Sequence, residues 1–270
     1  MNATQKNTAS SWKQGLLTLL TVLAAWIATA ALVQLCRGVS FPWPWDVAGR
    51  LVKLLSGQTL YSHAIGTHLL SSLWRWGLGY TLAVIVGLSM GLLLGLSSNL
   101  SRLLTPIFTL IHMIPGLAWI PIALLVFGIG TTATTFMIFI MAVIPIVINT
   151  AAGIQTVPPV QIEAAQIMGA NRKALFLRVL FPAALQSILT GLRLGMAGAW
   201  RVLIAAEMVV GLGVGLGYII IQSRWSLDYE ASFVALGLIL LMGLLFEKLF
   251  FTALERRVAP AFPSTERTMH

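Results

Sequence analysis

The sequence predicts an all-α integral membrane protein, and its composition and the length of its apolar runs are the observations that predict it. Of its 270 residues, 58% are hydrophobic and only 9% are charged, and the mean hydropathy is +0.90. A soluble protein carries about one quarter charged residues. A bilayer core of about 30 Å takes roughly 20 apolar residues per helix. Six runs of that length predict six transmembrane helices, at residues 15–35, 71–96, 103–127, 132–152, 183–212 and 231–254.

Each run is expected to be a helix, because a lone strand in lipid leaves its backbone groups unpaired and the sequence lacks the alternation of a closed barrel. The first run is longer than the apolar part of a signal peptide, and no small-residue cleavage site follows it at residues 33–37. Most Lys and Arg residues fall in the loops that are inner if the N-terminus is cytoplasmic, so both termini are expected there. The whole chain, 1–270, is expected to be one transmembrane domain.

The basic residues therefore predict membrane topology and contact with anionic lipid, and no nucleic-acid partner is expected. The only cysteine, Cys36, excludes an intrachain disulfide. Between the first two runs, prolines and tryptophans at residues 41–46 favour an anchor at the outer interface. A short amphipathic helix is expected near residues 47–55.

The second run combines a glycine stripe with an arginine near its outer end. Gly87, Gly91 and Gly95 are four residues apart and predict a smooth face that lets another helix approach closely. Arg75 lies about one turn inside the outer boundary, between Trp74 and Trp76. Its guanidinium is expected to reach back to the interface in preference to facing a pore.

Prolines interrupt the third and fourth runs, and Pro115-Gly116 is the predicted bend because it lies about halfway across the third run. Broken helices near the midplane often line transport routes. A purely structural kink is the alternative.

The fifth run contains charges of both signs, Arg193, Arg201 and Glu207. Arg201 and Glu207 are about 120° apart around the helix, so each is expected to find partners on other helices or chains. A lock between helices and contact with substrate both remain open. The following glycine-rich stretch, residues 211–218, has no preceding strand and no following Lys-Ser or Lys-Thr, so it is predicted to be a flexible re-entrant turn at the outer mouth and not a nucleotide loop.

A polar loop at residues 157–181 separates the fourth and fifth runs. Pro158-Pro159 is expected to end one helix and start another, with Glu163 in the first turn and Gly169 just past the end. Asn171 is expected to cap a second short helix running to residue 180, and Pro182 to start the fifth run. Small residues at 164, 165 and 169, with apolar ones at 162 and 168, favour a docking surface slightly over a plain connector.

The pattern Glu163-Ala164-Ala165, then Gly169, then Val179-Leu180-Phe181-Pro182 resembles the EAA loop of permease subunits of ATP-binding-cassette (ABC) importers, EAA-x3-G-x9-I-x-L-P. Val179 and Phe181 depart conservatively from it. Further stretches are similar to the nitrate, sulfonate, taurine and bicarbonate permease group, at residues 71–75, 115–121, 127–130, 191–193, 206–208 and 215–218.

The resemblance implies a type I importer fold in the cell inner membrane, and alternating access for a small anion such as nitrate, taurine or an alkanesulfonate. It implies two cytoplasmic ATPase subunits that bind the ATP, a second permease copy in a homodimer, and an external solute-binding protein. No cofactor and no catalytic or metal site is expected in this chain. Coupling to the ATPase is assigned to Glu163, Ala164, Ala165, Gly169 and Pro182. The translocation path, or a helix lock, is assigned to Pro115, Arg193, Arg201 and Glu207.

The alternative class is an ion-coupled secondary transporter or a channel subunit. The six runs show no internal repeat, and no series of membrane acids or histidines offers a proton relay. A membrane enzyme is disfavoured because no nucleophile, paired acids or metal constellation is evident; His63 and His68 are five residues apart, which is poor spacing for shared ligation on a helix.

Overall fold

The structure is a computed structural model that describes residues 3–38, 40–210 and 212–248, with side chains from residue 15 onward. This part of the chain is almost entirely helical. Its α-helices are α1 (Ala3–Arg37), α2 (Pro44–Leu55), α3 (Ile65–Leu96), α4 (Ser98–His112), α5 (Ile120–Phe127), α6 (Thr131–Gln155), α7 (Pro159–Ile167), α8 (Arg172–Leu175), α9 (Phe181–Val210), α10 (Leu216–Ser226) and α11 (Tyr229–Leu245). A two-stranded hairpin, β1 (Thr59–Leu60) and β2 (His63–Ala64), precedes α3, with Thr59 opposite Ala64.

Five of the described helices are long and apolar enough to cross a membrane, and α4 with α5 would make a sixth crossing if taken together. The third run is not one straight helix. It divides at residues 113–115 and bends by 98°, at the Pro115-Gly116 position where the sequence predicts the bend. A 3-10 turn, Gly116–Trp119, leads into α5. The end of the predicted sixth run, residues 249–254, and the C-terminus lie outside the described residues.

The chain divides into two compact units, of which the larger comprises residues 66–218 and 238–248 of the described chain. Its core forms around α6, where Met137, Ile138, Ala142 and Ile146 are fully buried. The spacing of glycines on α3 predicts a close helix neighbour, and α6 is that neighbour. A methyl group placed at Gly91 would lie 2.5 Å from Thr150 Cβ of α6, so only glycine permits this approach.

An adjacent face of α6, which shares Ile146 with the first, packs against α9 in the same way. A Cβ at Gly191 would lie 3.0 Å from the carbonyl oxygen of Pro145, and one at Gly195 would lie 2.8 Å from that of Ala142. Helix α6 therefore packs closely against the glycine faces of both α3 and α9. Since dispersion contacts hold helices together in lipid, this packing positions α9, which carries the charges singled out in the sequence.

The smaller unit comprises residues 3–65 and 219–237 of the described chain. Its aromatic centre joins Phe233 of α11 to Trp26 of α1, with ring centroids 5.2 Å apart. The Trp26 Nε1–H group donates to the carbonyl oxygen of Pro42 at 3.1 Å. An ion pair joins Arg50 of α2 to Asp228 at 3.0 Å. Helix α2 confirms the short helix predicted near residues 47–55, although it begins three residues earlier, at Pro44.

Candidate functional site

The loop between α6 and α9 carries the first candidate surface, on helix α7. Pro158 is the N-cap of this helix and Pro159 its first residue. Proline suits that position because its missing amide has no intrahelical acceptor there and its φ angle is already helical. Glu163 is the fifth residue of the helix, so the prediction that it lies in the first turn is wrong. The helix begins at the two prolines, so Glu163 falls in its second turn.

One face of α7 exposes large apolar side chains. Val160, Ile167 and Met168 are 73%, 88% and 81% exposed, and Glu163 and Ala164 are exposed beside them. Positions 160, 164, 167 and 168 follow helical spacing, so they share one side of the helix. We call these five residues the α7 patch. Exposed apolar groups clustered on one face are typical of an interaction site.

Ala165 is buried on the opposite side of α7. It therefore packs against the rest of the protein and does not belong to the α7 patch. Glu163, Ala164 and Met168 of the patch are predicted from the sequence, whereas Val160 and Ile167 are not. Their spacing relative to Ala164 is the signal that identifies them.

Helix α7 ends as its sequence predicts. Gly169 has a φ of +82°, the left-handed region that glycine enters without strain. The Gly169 amide donates to the carbonyl oxygen of Gln166 at 2.9 Å, and the Ala170 amide donates to that of Ala165 at 3.0 Å. This is the Schellman pattern, which satisfies the last carbonyls of a helix. Asn171 Oδ1 then accepts from the Ala174 amide at 2.8 Å and caps α8, as predicted.

The predicted break at Pro182 does not occur. Helix α8 continues through a π-helical turn, Phe176–Leu180, into α9, and residues 172–210 form one apolar helix. In the π turn the Phe181 amide donates to the carbonyl oxygen of Phe176, five residues back. Such a wide turn can accommodate the missing amide of Pro182, which would otherwise interrupt the helix. The loop that carries α7 is thus connected directly to α9, the helix that carries Arg193, Arg201 and Glu207.

A buried charge pair is the second candidate site. Arg75 Nη1 of α3 donates to Glu207 Oε1 of α9 at 2.6 Å. Arg75 is only 5% exposed and Glu207 is 0% exposed. The prediction that Arg75 reaches back to the interface is therefore wrong. A buried guanidinium needs a buried anion, and Glu207 supplies it, whereas the sequence shows Arg75 only among its tryptophan neighbours.

Two further side chains of α3 complete this site. His68, Ser72 and Arg75 lie at helical spacing on one face, and His68 and Ser72 are fully buried. Ser72 Oγ lies 2.8 and 2.9 Å from the two carboxylate oxygens of Glu207 and donates to that carboxylate. We call His68, Ser72, Arg75 and Glu207 the buried polar cluster.

The buried polar cluster binds the backbone that follows α9, residues 212–217, which we call the glycine segment. The Gly215 amide donates to His68 Nδ1 at 3.0 Å, and the Leu216 amide donates to Ser72 Oγ at 2.9 Å. The next amide, of Gly217, donates to Glu207 Oε2 at 3.0 Å. Arg75 Nη1 donates in addition to the carbonyl oxygen of Val214 at 2.9 Å.

The glycines of this segment are required by space and by backbone conformation. Gly213 and Gly215 have φ angles of +73° and +141°. A Cβ at Gly215 would lie 2.6 Å from the carboxyl carbon of Glu207, and a Cβ at Gly217 would overlap the carbonyl oxygen of Ile204. Gly215, Leu216 and Gly217 are buried. The predicted flexible turn is therefore a packed segment held by side chains; Gly211 lies outside the described residues.

The three charges predicted on the fifth run do not come together. Glu207 belongs to the buried polar cluster, and Arg193 pairs with Glu247 near the end of α11, where both side chains are partly exposed. Arg201 is exposed, and its Nε–H donates to the carbonyl oxygen of Ala197 in its own helix at 3.1 Å. Among the described residues no acidic group pairs with Arg201.

Arg201 shares an exposed stripe of α9 with Leu194 and Val209. The bend of the third run meets α9 beside this stripe, because a Cβ at Gly116 would lie 2.9 Å from Val202 Cγ2. The Pro115-Gly116 bend thus lies beside the part of α9 that carries Arg201, which has no acidic partner among the described residues. This is an arrangement that could attract an anion.

Comparison with known proteins gives consistent matches over most of the chain. The family described as "Binding-protein-dependent transport system inner membrane component" matches residues 83–260. The chain is 33% identical over 243 residues to the taurine transport system permease protein TauC of Escherichia coli, covering 90% of this chain and 87% of TauC. It is 38% identical over 197 residues to the nitrate import permease protein NrtB of Synechocystis sp., covering 73% and 71% of the two chains.

The bicarbonate transport system permease protein CmpB of Synechococcus elongatus is 37% identical over 209 residues, covering 76% of this chain and 70% of CmpB. Among solved structures, an amino acid ABC transporter has a TM-score of 0.60 at 22% identity, covering 80% of this chain and 100% of that chain. The MetNI methionine ABC transporter, in inward-facing conformations, has a TM-score of 0.55 at 23% identity, covering 72% and 94%. At these identities the two structures establish the fold.

Proposed function

Because this chain belongs to the binding-protein-dependent transport system inner membrane component family, we propose that it forms the membrane path of an ATP-driven importer for a small anion. It is a permease subunit of an ABC importer in the inner membrane, and it is not an enzyme, since ATP hydrolysis is the task of a separate ATPase. The observation that carries the proposal is the exposed α7 patch on a loop that continues directly into α9.

The α7 patch is proposed as the seat of the ATPase. Val160, Ile167 and Met168 expose apolar surface that a partner would remove from water. The charge of Glu163 is proposed to orient the ATPase on the patch. Gly169 ends the helix in a defined geometry, so the patch is presented rigidly. Ala165 is proposed to position α7, because it is buried on the side of the helix that packs against the rest of the protein. Pro182 is proposed to contribute to coupling by favouring the π turn that joins the loop to α9.

The subunit count follows from one patch per chain. If two ATPase subunits close on two ATP molecules, two α7 patches are needed, and a second copy of this chain in a symmetric dimer supplies the other. ABC importers of this family work with an ATPase and a solute-binding protein. Two ATPases, a permease homodimer and an external binding protein are the proposed assembly. The ATP is proposed to bind to the ATPase chains, with no cofactor in this one.

The anion path is proposed to follow the exposed stripe of α9. Arg201 lies on that stripe near the Pro115-Gly116 bend, and no acidic residue in the described part of the chain pairs with it. Arg193 is proposed as a helix lock because Glu247 neutralises it. The relatives are named for nitrate, taurine and bicarbonate. Each of these solutes carries an anionic oxygen-bearing group, so we propose a small nitrate-, sulfonate- or carboxylate-like solute as the cargo of this chain.

The proposed cycle is alternating access, with both termini on the cytoplasmic side as the Lys and Arg distribution favours. ATP binding draws the two ATPases together, moves the α7 patches and turns the path outward. Hydrolysis returns the path inward. The solute shifts this equilibrium only to the extent that it binds the two states unequally.

The test is ATPase activity of the reconstituted complex with its binding protein, measured against nitrate, taurine and bicarbonate, with choline as a cationic control. Stimulation by one of the anions and ATP-dependent uptake of the same anion are expected. Uptake that persists without ATP and follows a proton gradient would contradict the proposal and favour the secondary-transporter alternative.

A further inference from the structure

The start of α10 is an anion-binding arrangement that the protein fills with its own carboxylate. The amides of Gly215, Leu216 and Gly217 lie where α10 begins, so they have no acceptor within that helix. Amides at such a position attract negative charge. Here the Gly217 amide, Ser72 Oγ and Arg75 Nη1 all donate to the carboxylate of Glu207.

These contacts differ from a lock between two helices. A lock would need only the side chains of Arg75 and Glu207, and apolar residues of similar volume could replace it. In this protein both partners also bind the backbone of the glycine segment, at the Val214 carbonyl and the Gly217 amide. Apolar side chains can hold neither group. The conformation of the glycine segment therefore depends on the charges themselves.

The cluster also lies at a defined place along α9. One helix runs from residue 172, close behind α7, to Val210, and the glycine segment follows. Glu207 is less than one turn from the end of this helix. The α7 patch is at one end of the helix and the bound segment is at the other, so the hydrogen bonds to the segment act on the end of α9 that is farther from α7.

We infer that Glu207 is a tethered anion that positions the glycine segment at the end of α9, within an anion site built from Arg75, Ser72 and the Gly217 amide. Its role in transport rests on the proposed function, whereas its role in holding the segment does not. Glu207 is a positioning residue and does not touch the transported solute, because its carboxylate is fully buried in the cluster.

The test is chemical rescue of Glu207→Ala in the complete complex. Formate and acetate are the probes, because each is a planar carboxylate small enough for the space that the lost side chain leaves. Without a probe, uptake by the variant is expected to fall at least about tenfold, since Arg75 is left buried without its anion. With formate present from extraction onward, uptake should recover severalfold and the melting temperature of the variant should rise. Sodium chloride at equal ionic strength controls for salt.

Glu247→Ala is the matched control. It removes a glutamate that also pairs with an arginine of α9, but both side chains of that pair are partly exposed, whereas the Arg75–Glu207 pair is buried. Its uptake and melting temperature should not respond to formate. Equal rescue of both variants, or assembled Glu207→Ala that formate does not rescue in either readout, would overturn the inference.

A double variant keeps the inference testable if Glu207→Ala does not assemble. Arg75→Met with Glu207→Met replaces the pair by apolar side chains, which should restore assembly but leave the Val214 carbonyl and the Gly217 amide without their side-chain partners. Uptake at least about tenfold below wild type is expected, and uptake at the wild-type rate would overturn the inference. A failure of the proposed function is distinguishable, because the wild-type complex itself would then show no ATP-dependent anion uptake.

Discussion

Arg75 and Glu207 lie 2.6 Å apart in the interior of the larger unit, although 132 residues separate them in the chain. Breaking a buried pair by removing one partner typically costs about 3 to 5 kcal/mol, because the other charge stays buried. We expect Arg75→Met to destabilise the protein by roughly that amount and the Arg75→Met, Glu207→Met double variant to recover only part of it, because the Val214 carbonyl and the Gly217 amide still lack their partners. Thermal unfolding of the purified chain measures both. A double variant no more stable than the single one would contradict this expectation.

Gly169 is expected to matter for coupling through its backbone conformation. Its φ of +82° is strained for most side chains, but asparagine tolerates this region. No atom lies within 4 Å of a Cβ built there, so volume is not the obstacle. Gly169→Val should therefore insert normally yet separate ATPase activity from uptake, whereas Gly169→Asn should remain coupled. The ratio of solute transported to ATP hydrolysed is the measurement, and equal ratios in both variants would refute the argument.

The α7 patch is expected to hold the ATPase by apolar contact. Ile167→Asp places a charge at the most exposed apolar position of the patch, and it should reduce co-purification of the ATPase at least about tenfold, since burying an unpaired carboxylate is unfavourable. Gln166→Asp is the matched control, because Gln166 is exposed on the same helix but points away from the patch. A similar loss of ATPase in both variants would indicate a general charge effect instead.

Arg201 and Arg193 occupy the same helix but have different surroundings, so substitutions of the two residues are expected to affect anion uptake differently. Only Arg193 has an acidic partner among the described residues, at Glu247. Arg201→Gln should raise the KM for anion uptake about tenfold or more, as expected for losing a hydrogen bond to a charged group. Arg193→Gln should leave KM unchanged. An unchanged KM in Arg201→Gln at full expression would remove Arg201 from the path.

Gly217 is expected to be the least replaceable glycine of the glycine segment. A methyl group there would overlap the carbonyl oxygen of Ile204, which is backbone and cannot rotate away. Gly217→Ala should destabilise the protein by about 1 to 3 kcal/mol. Gly213→Asn is the control, because Gly213 has open space around it and a φ of +73° that asparagine tolerates. Similar melting temperatures for the two variants would contradict the steric argument.

Local signals made the loop between α6 and α9 predictable. Pro159 at the first helical position, Gly169 with its left-handed φ and Asn171 as a cap act on neighbouring residues. The glycine spacing of α3 predicts a close helix, and the bend at Pro115-Gly116 follows from the missing proline amide. The start at the prolines was predicted, but Glu163 was misplaced because it is the fifth residue of the helix and lies beyond the first turn.

The buried polar cluster could not be predicted from local signals. His68, Ser72 and Arg75 share one face of α3 at a spacing visible in the sequence, which marks them as a set. What that face meets is decided by the packing of α3 and α9 around α6. Arg75 beside two tryptophans looks like an interfacial residue until a fully buried carboxylate is placed next to it.

By itself the sequence determined that the chain lies in a membrane, where its helices fall and how the polar loop between α6 and α9 is built, because apolar length, proline and glycine act over one or two helical turns. Only the tertiary structure decided which charge meets which, that Ala165 faces inward, and that the glycine segment is held and not free. Those outcomes depend on contacts between residues far apart in the chain, and a buried charge takes whichever partner the helix packing brings within hydrogen-bonding distance.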